Sequence, residues 1–108
     1  MTDSFDLEGM RKAVRAGRVE WRKHALEQLY KRKLSRAQVS RVLTLGEVIE
    51  TYLHDAPFPS CLLLHRDPDP LHVVAAFDSE SQLCYVITAY APNLYHFESD
   101  FRTRRKSQ

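Results

Sequence analysis

The chain has 108 residues and a mass of 12.6 kDa, with 44% hydrophobic and 28% charged residues. This is the size of one globular domain, so we expect a single domain over 1–108, with a core over about 4–105 and a frayed tail over 106–108. Collagen-like, low-complexity and transmembrane chains are excluded, because glycine and proline together number only eight and no apolar run approaches the roughly 18 residues of a spanning helix.

Charge is unevenly distributed along the chain. Residues 1–42 carry eleven Lys and Arg against five Asp and Glu, residues 43–100 carry one against nine, and residues 101–108 add four basic side chains. If the fold brings the two basic ends together, they form a positive face that attracts polyanions. A solvated, charge-rich helix is the alternative interpretation of the same pattern.

The chain start and the cysteines both favour a cytoplasmic protein. The first ten residues carry three acids and no base, which is opposite to the start of an export signal. Cys61 and Cys84 lie inside apolar runs, where a free cysteine behaves as a small hydrophobic residue in a reducing compartment. We therefore expect neither a disulfide framework nor a membrane partner, and no cofactor.

The N-terminal part of the chain is predicted to form helices. Apolar residues recur at three- and four-residue spacing over 7–14, which predicts a first helix that ends at Gly17. The alternating piece over 18–22 is either a brief strand or an extended connector. A second apolar stripe begins at His24 and ends in the basic cluster 31–33, where positive charge complements the helix dipole.

The start of a third helix carries the clearest local signal. Ser35 and Gln38 have the spacing of a capping box, and Leu34 and Val39 have the spacing of a hydrophobic staple. Two independent devices therefore predict a helix that begins at Ser35 and ends at Gly46.

After the third helix the apolar pattern shifts toward period 2 and toward residues that favour strands. Four strands are predicted, over 47–53, 61–65, 71–77 and 83–91. Short loops between them indicate an antiparallel meander, and residues 95–105, beyond Pro92, can form a short C-terminal helix. Helices followed by strands are typical of an α+β domain, here N-terminal helices packed on a four-stranded antiparallel sheet.

The sequence contains no strong catalytic or metal-binding motif. A glycine-rich phosphate loop, a Cys-x-x-Cys pair, a His-Glu-x-x-His helix and a Gly-x-Ser-x-Gly turn are all missing. The histidines are dispersed without close pairs, so a metal site is not expected. They are His24, His54, His65, His72 and His96.

One cluster of reactive side chains follows from the predicted pairing of the last two strands. A hairpin loop at 78–82 places His72 opposite Thr88, with Tyr90 one diagonal step away on the same face. A neutral imidazole can take a proton and a phenol can give one, which suits metal-free cleavage of RNA. The alternative is a hydrogen-bonded sheet histidine beside a strand-end aromatic residue.

The same reaction needs positive charge for the pentacovalent phosphate. The predicted phosphate-binding residues come from the second helix and the tail, and they are Arg32, Lys33, Arg104 and Arg105.

His24 and the acids Glu47 and Glu50 also carry groups that can transfer a proton. His24 begins the second helix beside a basic surface and is either a functional group or a capping residue. Strict alternation along the strand over 47–53 places Glu47 and Glu50 on opposite faces, so a paired-carboxylate reaction is not expected.

An ordered set of short motifs resembles the prokaryotic family known as domain of unknown function 4258. The motifs include Trp21-x-x-His24-Ala25-x-Glu27 and Val86-Ile87-Thr88-x-Tyr90-x-Pro92, and the most specific are Gly46-Glu47-Val48-Ile49-Glu50-x-Tyr52 and Leu71-His72-Val73-Val74. The resemblance extends from about Trp21 to Arg105. The family is similar in outline to the RelE-like toxins, in which helices precede a curved antiparallel sheet.

The resemblance implies a messenger-RNA-cleaving toxin, or a relative of one, encoded beside an antitoxin. It makes His24, Glu47, His72 and Tyr90 the candidate catalytic residues, and RNA, a cognate antitoxin or a second copy of the chain the candidate partners. A non-catalytic module that binds protein through a sheet edge or the charged tail is the alternative function. A sequence-independent nucleic-acid binder is a third.

Overall fold

The computed structural model of the protein describes residues 4–66 and 68–106, so positions 107 and 108 of the predicted frayed tail lie outside the described residues. Within these ranges the chain forms α1 (Leu7–Arg15), β1 (Val19–Trp21), α2 (Lys23–Lys31), α3 (Arg36–Leu45), β2 (Glu47–Tyr52), β3 (Ser60–Arg66), β4 (Pro70–Asp78) and β5 (Leu83–Tyr90). None of the described helices has the length and apolar character needed to cross a membrane.

Side-chain caps begin two of the helices. The Asp6 carboxylate accepts a hydrogen bond from the backbone N–H of Gly9 at 2.9 Å and starts α1. The predicted capping box of α3 is confirmed, because the Ser35 hydroxyl accepts from the Gln38 N–H at 3.1 Å and the Gln38 amide oxygen accepts from the Ser35 N–H at 2.7 Å. These bonds satisfy amide groups that have no partner within the helix.

Within the part of the chain that the structure describes, the sheet has five strands in the order β1-β5-β4-β3-β2, with β1 parallel to β5 and the other pairs antiparallel. The α+β class is confirmed, whereas the prediction of a four-stranded antiparallel sheet missed β1. Only three residues form this strand, which is too short for a periodic pattern to distinguish it from a connector. Val19 and Trp21 pair with Cys84 and Val86.

The predicted C-terminal helix is wrong. Residues 92–106, here named the C-terminal segment, form turns and one antiparallel bridge between Phe97 and Arg104. The Asn93 side chain accepts the N–H groups of the second and third residues after it, and Asp100 does the same further along. These local bonds compete with helical backbone bonds and hold the segment in turns.

The sheet is covered on both faces by different parts of the chain. The helices pack on one face, named the helix face, where β4 contributes Val73, Ala75 and Phe77 to the apolar core. The C-terminal segment lies over the opposite face, named the second face, and it supplies the buried Phe97. His72 is fully buried on the second face.

A β-bulge in β2 overturns the predicted separation of its two acids. Glu47 pairs with Leu64 and Glu50 with Leu62, so Ile49 is the extra residue between the two pairs. Leu62 and Leu64 point to the same side of β3, and Glu47 and Glu50 therefore share the second face.

A second bulge, at Ile87 in β5, changes the predicted register of the last hairpin. His72 lies opposite Tyr90 rather than opposite Thr88, and Thr88 pairs with Val74. The turn already pairs Phe77 with Cys84, one residue away from the predicted register, and the bulge adds a second residue. Because the total shift is two residues, His72, Thr88 and Tyr90 still share the second face.

Candidate functional site

A pocket of about 260 Å³ opens where β5 ends, between α2 and the C-terminal segment. The residues that line it come from three parts of the chain and include two cations and two aromatic side chains with polar atoms. They are Arg32, Tyr90, Ala91, Asn93, His96, Phe97 and Arg104.

A row of polar contacts connects α2 to the end of β5. Arg32 donates to the Ala89 carbonyl at 2.7 Å and to the Thr88 hydroxyl at 3.2 Å. Thr88 in turn donates to the Gln28 amide oxygen at 2.7 Å, and the Gln28 amide nitrogen lies 3.0 Å from His24 Nε2. Residues one helical turn apart share one side of a helix, which places His24, Gln28 and Arg32 in a line.

His72 lies beneath the pocket and is held in one tautomer. Its Nε2 lies 2.6 Å from the Phe101 carbonyl oxygen, which can only accept, so Nε2 carries the proton. The bare Nδ1 lies 3.4 Å from the Tyr90 hydroxyl and accepts from it. The Tyr90 and Phe97 rings pack edge-on against the imidazole, at 5.3 and 4.6 Å between ring centroids.

Burial sets the charge state of both members of this pair. It lowers the pKa of His72, and the positive charge of Arg104 acts in the same direction, so the imidazole is neutral at neutral pH. Burial also raises the pKa of the Tyr90 phenol, which therefore keeps its proton. The resting pair is a protonated phenol that donates to a neutral imidazole.

Arg104 is fixed by two carboxylate contacts and a ring contact. Its Nε lies 2.6 Å from one oxygen of Glu50 and its Nη2 lies 3.1 Å from the other. Its guanidinium carbon lies 4.9 Å from the centroid of the Phe97 ring. Burial alone would raise the pKa of Glu50, but hydrogen bonds from Arg104 and from the Tyr52 hydroxyl lower it overall. The Glu50 carboxylate thus orients Arg104 at the pocket.

The structure brings four of the predicted site residues together: Arg32, Tyr90 and Arg104 line the pocket, and His72 contacts Tyr90. The other four lie apart from the pocket lining. His24 stands at the far end of the polar row, Glu47 pairs with Arg102 at 2.8 Å, Lys33 is exposed after α2, and Arg105 pairs with Glu98.

Sequence reasoning missed three residues of the site, His96, Asn93 and Glu50. The sequence predicts a helix at His96, names no role for Asn93, and separates Glu50 from Glu47, although both acids share the second face. The available signal was Asn93 directly after Pro92, since an Asx turn after a proline favours a loop over a helix.

The pocket has the chemistry of an anion site. Two guanidinium groups line it, and among residues 4–66 and 68–106 no group of three or more His, Cys, Asp or Glu side chains has the arrangement to hold a metal ion. Arginine forks match the oxygens of a phosphate group. A proton-accepting pair, Tyr90 with His72, and an exposed imidazole, His96, stand beside those cations.

Comparison with known protein families identifies the family of the chain. The profile of the family described as Domain of unknown function (DUF4258) matches residues 21–91. The chain belongs to the DUF4258 family. The match contains Arg32, His72 and Tyr90 and ends before the C-terminal segment, which adds His96 and Arg104. No curated protein and no solved structure matches the chain, and the likeness to RelE-like toxins stays a prediction.

Proposed function

We propose that this DUF4258 protein is a metal-independent endoribonuclease and acts as the toxin of a toxin–antitoxin pair. One observation carries the proposal: Arg32 and Arg104 line the same pocket as Tyr90 and His96, and Tyr90 is hydrogen-bonded to the neutral His72. This set contains the positive charge, the proton acceptor and the proton donor that phosphodiester transfer requires.

The two arginines bind the scissile phosphate. They come from different elements, and each is already oriented, Arg32 by the Ala89 carbonyl and Arg104 by Glu50. Charge that develops on the phosphate oxygens in the transition state is therefore met by groups that need little reorganisation.

Tyr90 and His72 together act as the general base. The Tyr90 oxygen takes the proton of the ribose 2′-hydroxyl while its own proton passes to His72 Nδ1. The resulting imidazolium keeps its bond to the Phe101 carbonyl and is attracted to Glu50. The negative phosphate bound at Arg104 favours the same protonated form.

His96 acts as the general acid. The 2′-oxygen forms a bond to phosphorus as the bond to the 5′-oxygen breaks, and the imidazolium of His96 gives its proton to that leaving oxygen. The products are a 2′,3′-cyclic phosphate and a free 5′-hydroxyl. His72 then loses its proton to solvent through Tyr90, and His96 regains one from solvent.

The test of this function is cleavage of single-stranded RNA by the purified protein in excess EDTA. We expect turnover that yields a 2′,3′-cyclic phosphate, and no cleavage of the same sequence with 2′-O-methyl riboses, because that substrate lacks the nucleophile. An Arg32→Ala variant should lose about 10²- to 10³-fold in rate, whereas Arg36→Ala, which removes a cation over Trp21, should not. Absence of cleavage by folded wild-type protein would contradict the proposal, and so would cleavage of the 2′-O-methyl substrate.

The alternative function, a protein-binding module, is favoured by the position of β2 at the edge of the sheet. An edge strand presents backbone groups to which another strand can add. A cognate antitoxin or a second copy of the chain would bind there. Complex formation without RNA turnover, lost on substitution of Thr51 to Pro, would support this function instead.

A further inference from the structure

We infer that Tyr95 is a stacking platform for an unpaired base beside the pocket, so that the site takes single-stranded RNA and rejects duplex. This inference rests on the proposed function, since it assumes that a phosphodiester binds at Arg32 and Arg104. Neither a role for Tyr95 nor a preference for single-stranded RNA is required by the catalytic groups alone.

The Tyr95 ring is held outward on a fixed backbone. Its side chain is 89% exposed. The Asn93 side chain accepts the N–H of Tyr95 at 3.0 Å and that of His96 at 3.1 Å. Phe97, two residues on, is buried against His72. The backbone on both sides of Tyr95 is therefore anchored while its ring faces solvent.

The Tyr95 ring lies next to the pocket that contains the two arginines. Asn93, two residues before Tyr95, and His96, directly after it, both line the pocket with Arg32 and Arg104. The Tyr95 ring lies 6.3 Å from the His96 ring, centroid to centroid, at a tilt of 51°. A nucleotide whose phosphate occupies the pocket thus has an exposed aromatic face next to it for its base.

The chemistry of the ring favours nucleic acid as the occupant. A phenol ring exposed to this extent contributes little to the core, whereas an aromatic face beside a cationic groove is how proteins bind single strands without reading their sequence. Bases within a duplex stack on each other and offer no free face. An exposed aromatic ring beside the two arginines therefore selects strands whose bases are unpaired.

The experiment measures binding rather than cleavage. The probe is a fluorescently labelled single-stranded 2′-O-methyl oligonucleotide, which cannot be cleaved, followed by anisotropy with the full chain. A second probe is the same oligonucleotide annealed to its complement. Tyr95→Ala should weaken binding by about 5- to 150-fold, and Tyr95→Phe, which keeps the aromatic face, should bind within about twofold of wild type. Tyr30→Ala is the matched control, because Tyr30 is 79% exposed on α2 and lies on a different side of the helix from Arg32.

Each outcome has a distinct meaning. Equal binding by wild type and Tyr95→Ala, equal loss in Tyr30→Ala, equal affinity of wild type for this duplex, or no binding by wild type would each overturn the platform. If the expected binding pattern appears but RNA is not cleaved, the platform stands and the nuclease proposal fails. If RNA is cleaved and Tyr95→Ala binds as wild type does, the nuclease stands and the platform fails.

Discussion

The two faces of the sheet are covered in different ways, although the same strands form both. On the helix face, three helices bury an apolar core that includes Leu63 and Val73. On the second face, an irregular segment covers a histidine and is fastened by contacts to carboxylates, as between Arg104 and Glu50. Apolar burial is non-directional, whereas these bonds depend on the position of individual atoms. The helix face therefore holds the main apolar core, whereas the second face, which also buries Leu62 and Phe97, positions the reactive groups.

The largest loss of stability is expected when a side chain in the core of the helix face is truncated. Leu63 is fully buried in the core, so Leu63→Ala should lower the free energy of unfolding by about 3 kcal/mol, from lost burial and the cavity that remains. Urea denaturation measures this. The exposed Leu45 is the control, and Leu45→Ala should change stability by less than about 0.5 kcal/mol. Equal losses in both variants would remove the basis of the comparison.

A smaller loss of global stability is expected when the C-terminal segment loses its contact with Glu50. Arg104→Ala removes the contact with the partly exposed Glu50 and should cost about 1 kcal/mol or less. Amide hydrogen exchange should nevertheless rise over 97–104, because the bridge between Phe97 and position 104 depends on this contact.

The control for this variant is Arg102→Ala, which breaks a more exposed pair with Glu47 and should change exchange over 97–104 less. A cooperative loss of the whole fold in Arg104→Ala would contradict the separation of the two faces.

The smallest effect concerns pH. Because burial lowers the pKa of His72 in the folded protein, the unfolded chain takes up a proton there first, and its imidazole has an ordinary pKa of about 6.5. The stability that His72 contributes is thus fully present above pH 6.5 and is lost as pH falls from 6.5 through the lower folded value. Denaturation between pH 7.5 and 5 measures the slope.

The variant for the pH measurement replaces the buried histidine. His72→Gln should flatten the slope below pH 6.5. A slope that does not change in His72→Gln would show that this imidazole is not held neutral by the second face.

Local signals in the sequence were sufficient for α1, α2 and α3, but not for the C-terminal segment, where a helix was wrongly predicted. The α3 start was predicted correctly because Ser35 and Gln38 satisfy each other within one turn, without help from distant residues. The short β1 is different, since Val19 and Trp21 form a strand only through pairing with β5. Such pairing depends on tertiary contacts that a three-residue pattern does not encode.

The site was predictable only in part for the same reason. Residue type and strand order were enough to predict Arg32, Tyr90 and Arg104 as site residues. The bulge at Ile49 brings Glu50 to the second face with Glu47, and the bulge at Ile87, together with a one-residue shift at the turn, changes the residue opposite His72 from Thr88 to Tyr90. The alternating pattern of a strand does not signal an inserted residue. His96 enters the pocket through a turn that no periodic pattern signals.

The most direct test of the account removes one hydroxyl from each of two tyrosines on the same strand. Tyr90 lines the pocket and donates to His72. Tyr85 does not line the pocket, and its ring stacks on the Phe58 ring with 5.3 Å between the ring centroids. Single-turnover RNA cleavage in EDTA should fall by about 10²- to 10⁴-fold in Tyr90→Phe, as for loss of a general acid–base group, and stay at the wild-type rate in Tyr85→Phe. Cleavage by folded Tyr90→Phe at the wild-type rate would contradict the assignment of the pocket as the active site.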